Sequence, residues 1–128
     1  MAGANVRYIV NDVAEAIDFY SGQLGFDLRI NPAPGFALLV RDGLNLMINA
    51  PGSGGAGQAM SDGESPRPGG WNRIQLVVED LAGEIARLKA AGCAFRNERI
   101  KGQGGDQILL EDPSGNLVEL FQPHPRQG

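Results

Sequence analysis

"NVRYIVNDVAEAIDFYSGQLGFDLR", residues 5–29, decides the fold because a similar pattern occurs again later in the chain. The second copy, "RIQLVVEDLAGEIARLKAAGCAFR", occupies residues 73–96. Each copy has an alternating strand, then an Asp, then a segment with helical periodicity, then a Gly and a second strand. Asp12 and Asp80 occupy equivalent positions in the two copies. The chain is therefore predicted to contain an internal repeat.

The two copies also end alike. "FALLVRDGLNLMINAP", residues 36–51, and "QILLEDPSGNLVELFQP", residues 107–123, both contain a strand, a turn built on Asp and Gly, and a strand that ends at Pro. Each half of the chain is therefore predicted to form a βαβββ unit of the α+β class. We expect one domain over residues 1–128, made of a repeat at 5–51 and a repeat at 73–123 that a glycine-rich loop at 52–70 joins.

The ends of both helices carry typical capping residues. Asp12 and Asp80 precede apolar periodic segments, so their carboxylates are expected to accept from amides of the first helical turn. Gly25 and Gly92 suit the left-handed residue that follows a helix. These residues are therefore predicted to be structural. The apolar residues with helical spacing are Val13, Ile17, Tyr20 and Leu24 in the first helix and Leu81, Ile85 and Leu88 in the second.

Composition narrows the class of protein. The chain has 128 residues, 42% of them hydrophobic and 20% charged, and a formal net charge of -4. An acidic chain of this kind argues against a nucleic-acid or anionic-membrane partner. There is no apolar run of membrane-spanning length and no signal peptide, so a cytoplasmic location is expected. Cys93 is the only cysteine, which excludes an internal disulfide.

The loop at residues 52–70 contains seven glycines and few apolar residues. A segment of this length is unusual between two elements of a compact fold. Two interpretations stay open: a flexible linker, or a loop that becomes ordered over a ligand. In either case the loop is expected to be mobile without a ligand, because little apolar burial opposes its conformational entropy.

Strand alternation separates two faces with different chemistry. One face is apolar apart from a tyrosine hydroxyl: Val6, Tyr8, Val10, Leu46, Ile48, Ile74, Leu76, Val78, Val118 and Leu120. The other face mixes charged, amide and apolar groups: Asn5, Arg7, Ile9, Asn45, Met47, Asn49, Arg73, Gln75, Val77, Leu117, Glu119 and Phe121. The mixed face is either the lining of a pocket for an organic molecule or a solvated sheet surface.

The repeat resembles the vicinal oxygen chelate superfamily, which includes glyoxalase I, extradiol dioxygenases, fosfomycin-modifying enzymes and bleomycin resistance proteins. The resemblance covers residues 5–123, and its most specific motifs are "VNDVAEAIDFYSGQLGF" at 10–26 and "LLEDPSGNLVELFQP" at 109–123. It implies tandem βαβββ repeats that form a cup-shaped, mostly antiparallel sheet with the helices on the outer face. It also implies a homodimer and a ligand site inside the cup.

The resemblance further implies a metal site whose ligand positions fall on Asn5, Met47, Arg73 and Glu119. Only Glu119 is an ordinary ligand, because a thioether suits soft metals and an arginine repels cations. The chain's only histidine, His124, follows the last strand. We therefore expect no metal or other cofactor, with one divalent metal ion as the alternative. A salt bridge to Arg73 is the leading interpretation of Glu119, followed by a general base and then a metal ligand.

Two functions are compatible with these residues. The first is a metal-free protein that binds a small organic molecule in the cup, as in the antibiotic-binding branch of the superfamily. The second is a lyase, isomerase or dioxygenase in which Glu119 acts as the catalytic base or the metal ligand and Arg73 stabilises an oxyanion. The predicted ligand-binding residues are the same for both: Asn5, Arg7, Met47, Asn49, Arg73, Gln75, Glu119 and Phe121.

Overall fold

The computed structural model describes residues 3–125. The chain divides into two compact units, with the boundary between Gly69 and Gly70. Each unit contains one of the two sequence repeats. The predicted single domain over residues 1–128 stays a prediction, and its outermost residues lie outside the described range.

The first unit contains a four-stranded sheet with the order β1-β4-β3-β2. β1 and β4 are parallel, and the other neighbours are antiparallel. Its elements are β1 (Val6–Ile9), α1 (Val13–Ile17), a π-helix (Asp18–Gln23), β2 (Asp27–Ala33), β3 (Phe36–Arg41), β4 (Leu44–Asn49) and a 3-10 helix (Gly55–Gly57).

The second unit contains a five-stranded sheet in which β5, β9, β8 and β6 follow one another and β7 also pairs with β8. β5 and β9 are parallel, and the other pairs are antiparallel. Its elements are β5 (Arg73–Val77), α2 (Leu81–Ala90), β6 (Ala94–Phe95), β7 (Ile100–Lys101), β8 (Gly105–Glu111) and β9 (Leu117–Pro123). The predicted α+β class with tandem βαβββ repeats is confirmed, although two short strands, β6 and β7, replace one longer strand in the second repeat.

Both helices begin where the sequence predicted. The Asp12 carboxylate accepts from the Glu15 amide at 3.1 Å, and the Asp80 carboxylate accepts from the Gly83 amide at 3.1 Å. The first helix differs from the prediction because it changes after Ile17 from α-helical to π-helical geometry. No local residue pattern in the sequence predicts this change of helix geometry.

Each helix packs on the apolar face of its own sheet. α1 lies against β3 and β4, and α2 contacts β9. The side chains between helix and sheet are buried: Val10, Val13, Ala16, Leu46 and Ile48 in the first unit, and Ile74, Leu76, Leu81, Leu88, Val118 and Leu120 in the second. Burial of these groups is the main stabilising contribution in each unit. The polar residues of the strands therefore lie on the opposite face of each sheet, which its helix does not cover. Among residues 3–125, no helix is long and apolar enough to cross a membrane.

The segment 52–70 is not uniform. Its first part is a compact turn in which the Gly52 amide donates to the Gly57 carbonyl at 2.7 Å and the Gly57 amide donates to the Ser53 carbonyl at 3.1 Å. Residues 58–70 are almost entirely exposed. A second, exposed turn has backbone hydrogen bonds from the Met60 amide to the Glu64 carbonyl at 2.7 Å and from the Gly63 amide to the Met60 carbonyl at 2.9 Å. The predicted mobility of the whole segment stays a prediction.

Candidate functional site

The polar face of the first unit brings together Arg7, Met47 and Asn49. Parallel pairing of β1 with β4 places Arg7 beside Met47, and antiparallel pairing of β3 with β4 places Phe36 beside Asn49. Residues that are paired across strands point to the same face of a sheet. These four side chains therefore form one continuous surface.

Arg7 on this surface contacts neutral groups. Its Nη1 donates to the Asn49 Oδ1, and its Nη2 lies 3.6 Å from the Met47 sulfur. The Asn49 Nδ2 donates in turn to the Ser53 carbonyl at 3.3 Å. Asn49 is only 2% exposed, so it is a buried amide whose carbonyl and amino groups both have partners. That arrangement fixes the orientation of the Asn49 amide and holds the Arg7 guanidinium.

The glycine-rich turn closes one side of the surface. The Ala50 amide donates to the Gly35 carbonyl at 3.0 Å, which ties the turn to the β2–β3 connection. A Cβ at Gly35 would lie 1.9 Å from the Ser53 Oγ, and a Cβ at Gly57 would lie 2.5 Å from the Ala50 carbonyl oxygen. These positions therefore need glycine for close packing. The consequence is that residues 53–56 stand beside Arg7 and Asn49.

Together these elements form a cleft of about 700 Å³ within the first unit. Its lining combines one cation, one amide, a thioether, an aromatic ring and glycine-rich backbone: Arg7, Pro34, Gly35, Phe36, Met47, Asn49, Ser53, Gly54, Gly55 and Ala56. Both the volume and the mixture of apolar walls with a few polar groups suit a small organic molecule. We call this space the first-unit cleft.

The second unit holds a different polar cluster around Glu119. The Arg73 Nε and Nη2 both donate to the Glu119 Oε1 at 3.1 Å, and the Gln75 Nε2 donates to the Glu119 Oε2 at 2.6 Å. The predicted ion pair is therefore confirmed. Arg73 contacts one carboxylate oxygen, and Gln75 contacts the other. Glu119 is 7% exposed, so these contacts compensate a buried charge.

The strand register explains how the Glu119 cluster forms. Gln75 and Leu109 are the cross-strand neighbours of Glu119 on its two sides. Phe121 lies two residues further along the same face and is half-buried. Trp71 precedes β5 and is 67% exposed. Arg96 lies 5.5 Å from the centre of the Trp71 ring.

The predicted ligand-binding residues are divided between the two units. Arg7, Met47 and Asn49 line the first-unit cleft, while Arg73, Gln75 and Glu119 form the hydrogen-bonded cluster in the second unit. Asn5 is exposed, precedes β1, and does not belong to the lining of the cleft.

Sequence reasoning missed Phe36, Ser53 and the neighbouring backbone of the turn. The sequence features that could have indicated these residues are Gly35 and Gly57, because each glycine lies where two segments of the chain approach closely. Their partners are distant in sequence, however, and only the folded chain identifies them.

The donor set does not fit a catalytic metal ion. Both oxygens of Glu119 already accept hydrogen bonds, and Arg73 places a permanent cation on one of them. His124 belongs to a separate contact, in which its Nε2 lies 2.9 Å from the Gly102 carbonyl oxygen. Within residues 3–125 there is no group of three or more His, Cys, Asp or Glu side chains that could hold a metal.

Comparison with known proteins agrees with this architecture. A curated "Uncharacterized protein" of Shewanella frigidimarina is 27% identical over 131 residues, covering 96% of this chain and 94% of that protein. The crystal structure of TnmS3, an antibiotic-binding protein from Streptomyces, is 26% identical with a TM-score of 0.68, covering 97% of this chain and 99% of TnmS3.

An enzyme has the same fold. The crystal structure of lactoylglutathione lyase from Agrobacterium tumefaciens superposes with a TM-score of 0.72 at 18% identity, covering 94% of this chain and 92% of the lyase. At this identity the likeness shows the fold alone.

A family model described as "Glyoxalase/Bleomycin resistance protein/Dioxygenase superfamily" matches residues 4–120. With nearly its whole length matched, this chain belongs to the glyoxalase/bleomycin resistance protein/dioxygenase superfamily.

Proposed function

We propose that this protein binds a small organic molecule in the first-unit cleft without a metal ion. The observation that carries the proposal is the cleft itself, about 700 Å³ in volume, with Arg7, Asn49 and Met47 on its wall. Asn49 is buried and has partners on both sides of its amide, so the polar groups are already positioned before a ligand arrives. Positioned polar groups lower the cost of ordering on binding.

Apolar groups complete the cleft. Phe36, Met47 and Ala56 offer an aromatic ring, a flexible thioether and a methyl group to the body of a ligand. A methionine adapts its shape to different ligands more readily than a branched side chain. The antibiotic-binding protein TnmS3, which has the same fold, supports a binding role of this kind.

An enzymatic function is the second candidate. Glu119 is a buried carboxylate at a position where the superfamily resemblance implies a ligand or base, and lactoylglutathione lyase shares the fold. A lyase, isomerase or dioxygenase would use Glu119 as a base or metal ligand. The hydrogen bonds from Arg73 and Gln75 favour a structural role instead, because they occupy three acceptor positions of the carboxylate and stabilise its ionised form.

A fluorescence titration tests the binding function. The protein is purified without added metal, dialysed, and its metal content is measured before titration with N-phenyl-1-naphthylamine, a neutral probe that becomes fluorescent in apolar sites. We expect less than about 0.1 metal ion per chain and saturable binding of one probe per chain, since the cleft has the volume of a single ligand site.

Two matched variants locate the probe. Ala56→Trp fills the first-unit cleft and should abolish saturable binding, whereas Ala86→Trp makes the same change at an exposed position of α2 and should leave it intact. Equal binding by wild type and both variants would place the probe elsewhere and overturn the proposal. Binding that appears only after a divalent metal is added would favour the enzymatic candidate.

A further inference from the structure

We propose that the first-unit cleft selects an organic anion, whose carboxylate, phosphonate or sulfonate group binds Arg7. This inference rests on the proposed binding function and names the class of ligand. It concerns the charge of the ligand, which neither the fold nor the family determines.

The charges around Arg7 favour an anionic ligand. Six ion pairs among residues 3–125 join an arginine to a carboxylate, and Arg7 belongs to none of them. Its described partners are the Asn49 amide oxygen and the Met47 sulfur. Arg7 is exposed to solvent while it lines the cleft, so its guanidinium is accessible to a ligand. A guanidinium that has no carboxylate partner among the described residues attracts an anionic ligand.

The Arg7 guanidinium has more hydrogen-bond donors than its contacts within the protein use. A guanidinium has five N–H groups, and the two contacts to Asn49 and Met47 engage one on each terminal nitrogen. A thioether is a weak acceptor, so an anionic oxygen readily replaces the Met47 sulfur. Arginine binds the paired oxygens of a carboxylate or phosphonate through two parallel hydrogen bonds.

Asn49 is a positioning residue that orients the Arg7 guanidinium. Its Oδ1 accepts from Arg7 while its Nδ2 donates to the Ser53 carbonyl, so the glycine-rich turn fixes the direction of the amide. The amide therefore holds one edge of the guanidinium and leaves its other donors for the ligand. The apolar body of the anion then lies against Phe36, Met47 and Ala56.

A matched pair of probes tests the inference. 8-Anilino-1-naphthalenesulfonate is N-phenyl-1-naphthylamine with a sulfonate added, so the two probes differ in the anionic group. Dissociation constants are measured by fluorescence for wild type, Arg7→Met, Arg7→Lys and Arg29→Met. Arg29 is an exposed arginine of the same unit that pairs with Asp27, so Arg29→Met makes the same change of net charge outside the cleft.

We expect Arg7→Met to weaken the sulfonate about tenfold, as for the loss of one charge-assisted contact, and to leave the neutral probe within about twofold. Arg7→Lys should recover part of the affinity for the sulfonate, and Arg29→Met should change neither constant. Circular dichroism of each variant checks that the fold is kept.

The outcomes separate this inference from the proposed function. If the neutral probe binds and the sulfonate shows the same affinity for wild type and Arg7→Met, the anion preference is wrong while the binding function stands. If Arg29→Met weakens the sulfonate as much as Arg7→Met does, net charge rather than Arg7 is responsible, and the inference also fails. If neither probe binds wild type, both the inference and the proposed function are overturned.

Discussion

Glu119 is a buried carboxylate that accepts hydrogen bonds from a cationic side chain and from an amide side chain. Arg73 and Gln75 reach it from the neighbouring parallel strand, β5, and each oxygen accepts from a different side chain. Arg73 itself remains partly exposed, with 31% of its side chain accessible. The pair therefore lies between a fully buried and a surface ion pair, and its energetic contribution should also be intermediate.

We predict that Glu119→Gln lowers the free energy of unfolding by about 1–3 kcal/mol, because Arg73 loses its counter-ion in a partly buried site. The double variant with Arg73→Met should recover part of this loss, with a coupling of at least about 0.5 kcal/mol. Urea unfolding of the wild type, the two single variants and the double variant measures this coupling.

The pair Glu84 and Arg87 on α2 is more exposed than Glu119 and Arg73 and is the matched control for this cycle. The same substitutions there, Glu84→Gln and Arg87→Met, should show a coupling below about 0.5 kcal/mol. Strictly additive effects at Glu119 and Arg73 would mean that the two side chains do not interact in solution, and would make Glu119 available as a base or ligand.

Cys93 follows α2 and is half-buried. Burial raises the pKa of the Cys93 thiol above its ordinary value of 9.0, and the nearby Arg87 lowers it by a smaller amount. Since the thiolate is the reactive form, a raised pKa means less thiolate at any given pH. We predict that iodoacetamide modifies native Cys93 more slowly at pH 8 than it modifies the urea-unfolded chain. Faster modification of the native protein would contradict this.

At the scale of elements, the helix starts were predictable and the cleft was not. Asp12 and Asp80 act through amides three residues away, so the local sequence contains the whole interaction. The contact between Asn49 and Arg7 spans two strands, and the one between Gly35 and Ser53 joins two loops. Such contacts depend on strand register and loop closure, which local patterns do not determine.

The same distinction applies to Glu119. The face of β9 that carries Glu119 followed from alternation. The pairing with Arg73 followed from the superfamily resemblance, which places both residues at positions of one metal site. The contribution of Gln75 required the parallel register of β5 and β9. Likewise, the π-helix at Asp18–Gln23 has no sequence signature comparable to a helix cap.

We predict that amide exchange divides the segment 52–70 into two parts. The Gly52 and Gly57 amides are hydrogen-bonded within the turn and should exchange more slowly than the amides of the exposed residues Ser65, Arg67 and Gly70. Nuclear magnetic resonance of the ligand-free protein measures each amide, with β4 as the protected reference. Strong protection throughout the segment would contradict the prediction. If the segment orders over a ligand, protection of residues 58–70 must also rise on binding.

At the scale of the whole molecule, we predict a homodimer. β2 is an edge strand of its sheet and carries the exposed apolar side chains Leu28 and Ile30. Exposed edges with apolar residues are usually covered in a stable assembly. Light scattering at micromolar concentration should give twice the chain mass of 13.6 kDa. A monomer mass under these conditions would refute the dimer. If β2 lies in the interface, Ile30→Lys should shift the protein toward the monomer.

We propose that the ligand binds in the first-unit cleft rather than at Glu119, and chemical-shift mapping tests this most directly. Metal-depleted protein labelled with ¹⁵N is titrated with 8-anilino-1-naphthalenesulfonate while every backbone amide is observed. The account predicts that the largest shifts occur at Arg7, Met47, Asn49 and residues 53–56, and that the amides of Gln75 and Glu119 change little. Shifts centred on Gln75 and Glu119, or shifts that require an added divalent metal, would contradict it.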